Sequence, residues 1–590
     1  MTEPRRSAII LLAGLGLAAC TSDTASDTAD AADAARADAI AREYVDAYYA
    51  QFPEEAFEIG YPDTPWDYLG DRSVEAIAAW EAREDAWLAE LRGLDTATIR
   101  GTAAAVPYEF LVERLEAAKA RRVCRMELWN VSPTWTGWQS LLPSSFSQQP
   151  VGDEAARTDA LSRLRDVPRY LDTQVANLRE GLRLGYLAPR SGVDAVLSQV
   201  DALLAAPVEE SPFYAPAERD ADSAFGEQVA AIVRDEIRPA IRRYRDFLRD
   251  EYRAQARTTA GVAANPDGRA CYEASVTFWS SLSPTPEEIH QAGLDQMERI
   301  EARMKEIAER SFGTDDVREV LERLRTDTAY TFHSGDEVLD YARAAVERGR
   351  EAVPDWFAFV PDAEVVVKPF PAFQHQSGGG FYSAGSKDGT RPGTYELGTY
   401  RPETISRAPL ESIAYHETYP GHHLQMSVAL AQDDLHPLLQ YFYSAGMAEG
   451  WGLYSEALAE EMGIYTSDVA RMGWLSSAAL RAARLVVDPG IHVLGWSRQR
   501  AIDYMLEHTA ESRGSVTSEV DRYIAVPGQA TSYLLGNLEI RRLREEAERR
   551  LGGDFDVRAF HDRVLADGAV TLPMLRANVE TWIAENERGD

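Results

Sequence analysis

Apolar residues recur at three- and four-residue spacing along most of the chain from Ala39 onward, with charged residues between them. The spacing predicts amphipathic helices over Val74–Arg92, Asp153–Arg183, Phe225–Ala256, Pro284–Ser311 and Thr314–Arg325. Ala188-Pro189-Arg190-Ser191-Gly192 and Asn265-Pro266-Asp267-Gly268 punctuate them as turns, and Ser283-Pro284 marks a helix start. The pattern changes once. Glu364 to Pro369 carries three successive valines and ends at proline, and Phe381-Tyr382 and Thr394 to Leu397 flank a turn-rich stretch from Gly385 to Gly393. These features predict a small β-element, after which helical patterning resumes to the end. The fold class read from the pattern is mainly α. The stretch Asp388 to Gly393 precedes a strand able to hold an extended peptide by backbone pairing.

The N-terminus departs from this pattern. Arg5 and Arg6 precede an apolar run from Ala8 to Ala19, too short to span a bilayer and shaped like a secretory signal. It ends Leu17-Ala18-Ala19-Cys20, which resembles a bacterial lipobox and implies cleavage before Cys20 and lipidation of its thiol. Thr21 follows, so the aspartate that retains lipoproteins at the inner membrane is absent. The expected location is the outer membrane, facing the periplasm. Residues 20–38 are small and polar and read as a lipidated cysteine with a disordered tether. The expected organisation is a signal at 1–19, the tether at 20–38, a helical region at 39–360 and a second helical region, with the β-element, at 361–590.

The formal net charge of −34 argues against nucleic acid and against adhesion to anionic lipid, so membrane contact is expected through Cys20 alone. Only Cys124 and Cys271 then remain. An oxidising compartment permits them to pair, but their separation by 147 positions neither supports nor opposes a disulfide.

The chemistry concentrates in His416-Glu417-Thr418-Tyr419-Pro420-Gly421-His422-His423, which holds three of the ten histidines. Imidazoles beside a carboxylate suit a catalytic zinc site, with nitrogen ligands for the metal and a general base for water. The usual zinc-peptidase spacing places the second histidine four residues after the first. Here that position is Pro420. Pro409 suits a helix start, so His416 and Glu417 sit late on a helix, which Pro420-Gly421 must then break. In an unbroken helix neither His422 nor His423 meets His416 on one ion, because six residues turn about 600° and seven add about 10 Å of rise. With the break, either register is open. A third ligand is expected from Met447-Ala448-Glu449-Gly450-Trp451-Gly452-Leu453-Tyr454-Ser455-Glu456. Glu449 and Glu456 share a helix face there, one toward the metal and one behind it. Tyr533 and His492 are candidate donors to the oxyanion of a tetrahedral intermediate.

The motifs HETYPGHHLQ, EGWGLYSE, DGTRPGTYELGTY and PGQATSYLLG resemble the bacterial family known as domain of unknown function 885, most densely from about 380 to 540. That family looks like a divergent branch of the helical gluzincin-type zinc metallopeptidases. The resemblance implies a large helical zinc-peptidase-like body with the β-element next to the metal site. It implies His416, one of His422 and His423, and Glu449 as zinc ligands and Glu417 as base. His422 is favoured over His423 because the resembled peptidases have glycine directly before the second ligand, and Gly421 stands there. The activity implied is a zinc-dependent metallopeptidase cleaving short peptides in the cell envelope. The alternatives are a metallohydrolase of a non-peptide amide or ester, and a non-catalytic envelope binding lipoprotein.

Overall fold

The computed structural model describes residues 23–57, 59–370, 379–386, 389, 391–432 and 435–588, with side chains from residue 32. The signal segment 1–19, Cys20, and Asp388 and Thr390 of the turn-rich stretch lie outside the described residues. The chain is mainly α, with one three-stranded sheet.

The helices follow the periodicity closely. Val74–Gly93 begins at Ser73, whose side chain accepts from the Ala76 N–H, and Glu154–Leu184 begins at Asp153, which accepts from Ala156. The helix expected from Pro284 starts at Pro286 instead, because Thr285 and Glu288 form a reciprocal capping box there. Among the described residues no helix is long and apolar enough to cross a membrane.

Two observations bear on the chain's expected division. The first helix runs Asp23–Gln51, so most of the 20–38 segment expected as a disordered tether is helical. Ala37 is fully buried in the main core, and the Asp33 carboxylate accepts from the Asp95 N–H at 3.0 Å. Alanine has the highest helix propensity and packs without needing large apolar neighbours, which the absence of a hydrophobic period concealed. The boundary expected between 360 and 361 is not a boundary of packing. One apolar core takes residues from Ala37 to Trp129 and from Val262 to Ile583. A second core is built from Leu69 and residues between Val131 and Ala256. Cys124 and Cys271 form a disulfide, Cα–Cα 4.6 Å, which ties the turn after the helix Ala105–Arg121 to the helix Gly268–Ser280. Such a bond persists in an oxidising compartment.

The sheet consists of β1 (Val365–Pro369), β2 (Gly380–Ser383) and β3 (Gly393–Leu397), in the order β1-β3-β2. β1 runs parallel to β3 and β2 antiparallel to it, with Tyr382 opposite Tyr395. Because β3 is paired on both sides, the strand expected to hold an extended peptide has no free edge for one. Tyr382 and Tyr395 are both buried, and β2 packs against the helix Leu410–Glu417.

Candidate metal centre

Three helices deliver the site. Leu410–Glu417 carries His416 and Glu417, and Pro409 precedes it by one residue rather than opening it. The helix stops at Thr418, a cis bond joins Tyr419 to Pro420, and a second helix, His422–Leu430, begins directly after Gly421. Gly421 is demanded by space. A Cβ there would lie 1.9 Å from the His416 carbonyl oxygen and 2.4 Å from that of Tyr415. The break therefore folds the second helix back onto the last turn of the first, and the His416 and His422 rings meet with centroids 4.7 Å apart at nearly a right angle.

The third helix, Ala445–Glu461, supplies Glu449. The glycines around it are fitted to their neighbours. A Cβ on Gly452 would stand 2.5 Å from His416 Cε1, so its absence seats the imidazole against the helix backbone. A Cβ on Gly450 would meet Gly536 of the helix Ser532–Leu551 at 2.5 Å, so these two glycines let the helices cross closely. Trp451 Nε1–H donates to the Pro420 carbonyl at 3.0 Å and pins the connecting turn.

His416, His422 and Glu449 offer ligand atoms that all lie within 4.8 Å of one another. Glu449 Oε2 is 3.6 Å from His416 Nε2 and 3.8 Å from His422 Nε2. A tetrahedral zinc ion with bonds of about 2.1 Å spaces its ligands about 3.4 Å apart. The two carboxylate–imidazole separations lie within a few tenths of an ångström of that spacing, and two imidazole nitrogens with a carboxylate are a donor set that suits zinc. Behind them, His416 Nδ1 lies 2.8 Å from Glu456 Oε1, and Ser412 Oγ donates to Glu456 Oε2 at 2.6 Å. With Glu456 accepting from Nδ1–H, Nε2 is left with its lone pair toward the ligand position.

The electrostatics are those of a cation site. Burial pushes the His416 imidazole down, but Glu449, Glu456 and Glu417 outweigh it and raise the group to about 10. Burial opposes charge on Glu449 as well, yet the two histidines facing it hold the carboxyl well below the usual range. Glu417 is raised, chiefly by burial, against the lowering influence of His416 and His422. Its carboxylate is not one of the three ligands, and the backbone of Tyr382 on β2 acts to lower it.

The remaining expected residues divide. Tyr533 interacts electrostatically with Glu449. Burial raises its hydroxyl, and the Glu449 carboxylate is the next cause, which places the two in electrostatic range. The Arg484 guanidinium stacks over its ring at 4.5 Å. His492 is not available as a donor to substrate. It is 1% exposed, its Nδ1 accepts from the Val262 N–H at 3.1 Å, and its Nε2 donates to the Tyr523 carbonyl at 2.9 Å. Both nitrogens are committed to backbone, so it is a core histidine joining three segments. His423 is also buried, with neither nitrogen free, and burial lowers it to about 4. Tyr382 and Tyr395 were not singled out from the sequence. The Tyr395 hydroxyl is buried with no hydrogen-bond partner among the described residues, and the Glu417 charge acts on it.

Residues 53–579 match the family described as "Bacterial protein of unknown function (DUF885)". The chain belongs to this family. Two solved structures share the fold of this DUF885 member. A putative lipoprotein from Colwellia psychrerythraea is 26% identical, with TM-score 0.85, over 94% of this chain and 99% of its own. A putative lipoprotein of unknown function from Shewanella oneidensis is 18% identical, with TM-score 0.73, over 91% and 98%. A putative oligoendopeptidase F from Bacillus anthracis aligns at 10% identity with TM-score 0.27, too low for a fold relationship to be argued from it. No curated protein sequence matches.

Proposed function

We propose that this DUF885 member is a zinc-dependent hydrolase, a metallopeptidase that cleaves short peptides at the cell envelope. The observation that carries the reading is Glu417. It is a half-buried carboxylate outside the ligand set, next in sequence to a ligand, with its proton affinity raised. A site that only stores or senses a metal has no use for such a group, whereas hydrolysis needs a base of this kind.

His416 Nε2, His422 Nε2 and the Glu449 carboxylate would hold the ion, and Glu456 would keep His416 in the tautomer that binds it. Bound zinc would supply a Lewis acid for the scissile carbonyl and make water more acidic. Glu417 takes the proton from the attacking water and returns it to the leaving amine. The Tyr533 hydroxyl donates to the carbonyl oxygen as negative charge develops there. Short peptides are the substrate class of the helical zinc peptidases that the motifs resemble.

Attachment through Cys20 to the outer membrane, facing the periplasm, is part of the same proposal. It rests on the Leu17-Ala18-Ala19-Cys20 sequence, the Cys124–Cys271 disulfide and the description of both structural relatives as putative lipoproteins. The experiment is a peptide-library digest with zinc-loaded protein, wild type against Glu417→Gln. The variant keeps its zinc and loses turnover by about two orders of magnitude or more. Equal cleavage by both proteins refutes the assigned role. Glu417-dependent turnover confined to non-peptide amides or esters would move the substrate class and leave the chemistry.

A further inference from the structure

The second histidine of the His422-His423 pair is unused by the reading above, yet it is among the most completely engaged side chains near the site. Successive residues on a helix diverge by about 100°, so His422 can face Glu449 while His423 turns the other way, toward the sheet. His423 is 1% exposed. Its Nδ1 lies 2.8 Å from the Tyr382 hydroxyl, and its Nε2 lies 3.0 Å from the Tyr419 hydroxyl and 3.2 Å from the Ala363 carbonyl oxygen.

The partners fix the tautomer. The Tyr419 hydroxyl donates its own proton to the Ala363 carbonyl at 3.1 Å, so its oxygen is left to accept. Nε2 faces two acceptors and must carry the hydrogen. Nδ1 is then the lone-pair nitrogen, and the Tyr382 hydroxyl donates to it. The contact has been given space. A Cβ at Gly393, on the neighbouring strand, would lie 2.5 Å from the Tyr382 hydroxyl and 2.9 Å from His423 Nδ1.

Tyr382 matters because of its backbone. β2 is a four-residue edge strand, held by pairing to β3 on one side. Alternate N–H groups of an edge strand point away from the sheet; the pairing register leaves the Tyr382 N–H among them, on a strand packed against the helix that ends in Glu417, and the Tyr382 backbone acts to lower the Glu417 carboxyl. The Tyr382 side chain is thus anchored by His423 while its main chain meets the base. We propose that His423 is a positioning residue: it clamps Tyr382 so that β2 presents its N–H to Glu417 and holds that carboxylate in its working orientation. The clamp stands on the geometry alone, and its catalytic consequence rests on Glu417 being the base.

The test uses His423→Leu, His423→Asn, His423→Gln, Tyr382→Phe and the Tyr382→Phe/His423→Leu double variant in the full chain. Hydrogen exchange across residues 380–383, read in metal-free protein, reports the clamp without reference to activity. Exchange there rises in His423→Leu and in Tyr382→Phe, and both proteins still take up about one zinc. In the zinc-loaded enzymes kcat falls by about tenfold or more, with KM within about threefold, the expected result when only transition-state interactions weaken. The double variant is no worse than the poorer single one, because both remove one link. His423→Asn, whose amide oxygen can stand where Nδ1 stood, recovers kcat, and His423→Gln does not. Unchanged exchange in Tyr382→Phe, which loses a single oxygen and keeps the fold, overturns the clamp. So does loss of zinc in His423→Leu, or equal kcat in the Asn and Gln variants. If wild type cleaves no peptide, the functional reading fails by itself and the exchange arm still decides the clamp.

Discussion

His416 and Glu456 sit forty positions apart in the chain and 2.8 Å apart in space, imidazole Nδ1 to carboxylate Oε1, both buried. The contact links the helix that ends in Glu417 to the helix that carries Glu449, and it orients the first ligand before any ion arrives. Arg481 approaches the same carboxylate at 3.7 Å, and Ser412 donates to its other oxygen. Glu456 therefore stays charged despite complete burial, with its carboxyl held below the ordinary range.

Glu456→Gln follows from that contact. The amide can still accept from Nδ1–H, but the charge that strengthens the His416 lone pair is gone. Zinc affinity is expected to fall by about 10- to 100-fold, as when the partner behind a metal-bound histidine is lost. Competition with a chelator of known affinity measures it. An unchanged dissociation constant would refute the supporting role of Glu456.

Gly421→Ala tests the turn. The added methyl would collide with the His416 and Tyr415 carbonyl oxygens, which are backbone and cannot swing away. The second helix must shift, taking His422 with it. The expected outcome is a loss of stability of at least about 2 kcal/mol together with weakened zinc binding. A variant that melts and binds zinc like wild type would sink the claim that this close approach sets the ligand geometry.

The metal-free protein should also show a particular pH dependence. His416 is raised from 6.5 to about 10, so the folded state binds its proton more tightly than the unfolded chain. That stabilisation is fully present below pH 6.5 and is lost as pH rises through about 10. Asp488, pushed up to about 7 by burial, acts in the same direction at lower pH, so the span above about pH 8 reports mainly on His416. Zinc must displace the His416 proton, so its affinity rises with pH over the same span. Thermal melts between about pH 8 and 10 should show the metal-free protein weakening while the stabilisation given by added zinc grows. Parallel curves with and without zinc would contradict the proton–metal competition.

The parts legible in the sequence were those where chemistry restricts residue type. Metal ligation and general-base catalysis admit few side chains, so His416, His422, Glu449 and Glu417 stood out, and helical spacing alone put Glu456 on the Glu449 face. The valines at 365–367 and the proline after them were enough for β1. What stayed hidden depended on distant pairing. Tyr382 and Tyr395 matter because β2 lies against β3 and against the His416 helix, a fact of register that no local pattern carries. His492 misled for the opposite reason. Its Asp488-Pro489-Gly490 setting looks like a site, but the Val262 N–H and the Tyr523 carbonyl, 230 positions before it and 31 after, claim both nitrogens. The helix through 23–38 was missed because alanines pack without a conspicuous apolar stripe.

The ligand register can be settled by substituting each member of the histidine pair separately. His422 Nε2 faces Glu449 at 3.8 Å, and its Nδ1 has a long contact, 3.4 Å, to Gln425 Oε1. Among the described residues nothing else claims the nitrogen that points at the ligand position. His423 has the Tyr382 hydroxyl on one nitrogen and the Tyr419 hydroxyl and Ala363 carbonyl on the other, so binding an ion would cost it a buried hydrogen bond and require the ring to leave its cradle. His422→Ala is expected to lose stoichiometric zinc, as His416→Ala should. His423→Ala is expected to keep about one zinc per chain while losing turnover. Elemental analysis of the three proteins, purified without chelator, reads this directly. Zinc retained in His422→Ala and lost in His423→Ala would transfer the ligand role to His423, and with it would fall the clamp proposed for that residue.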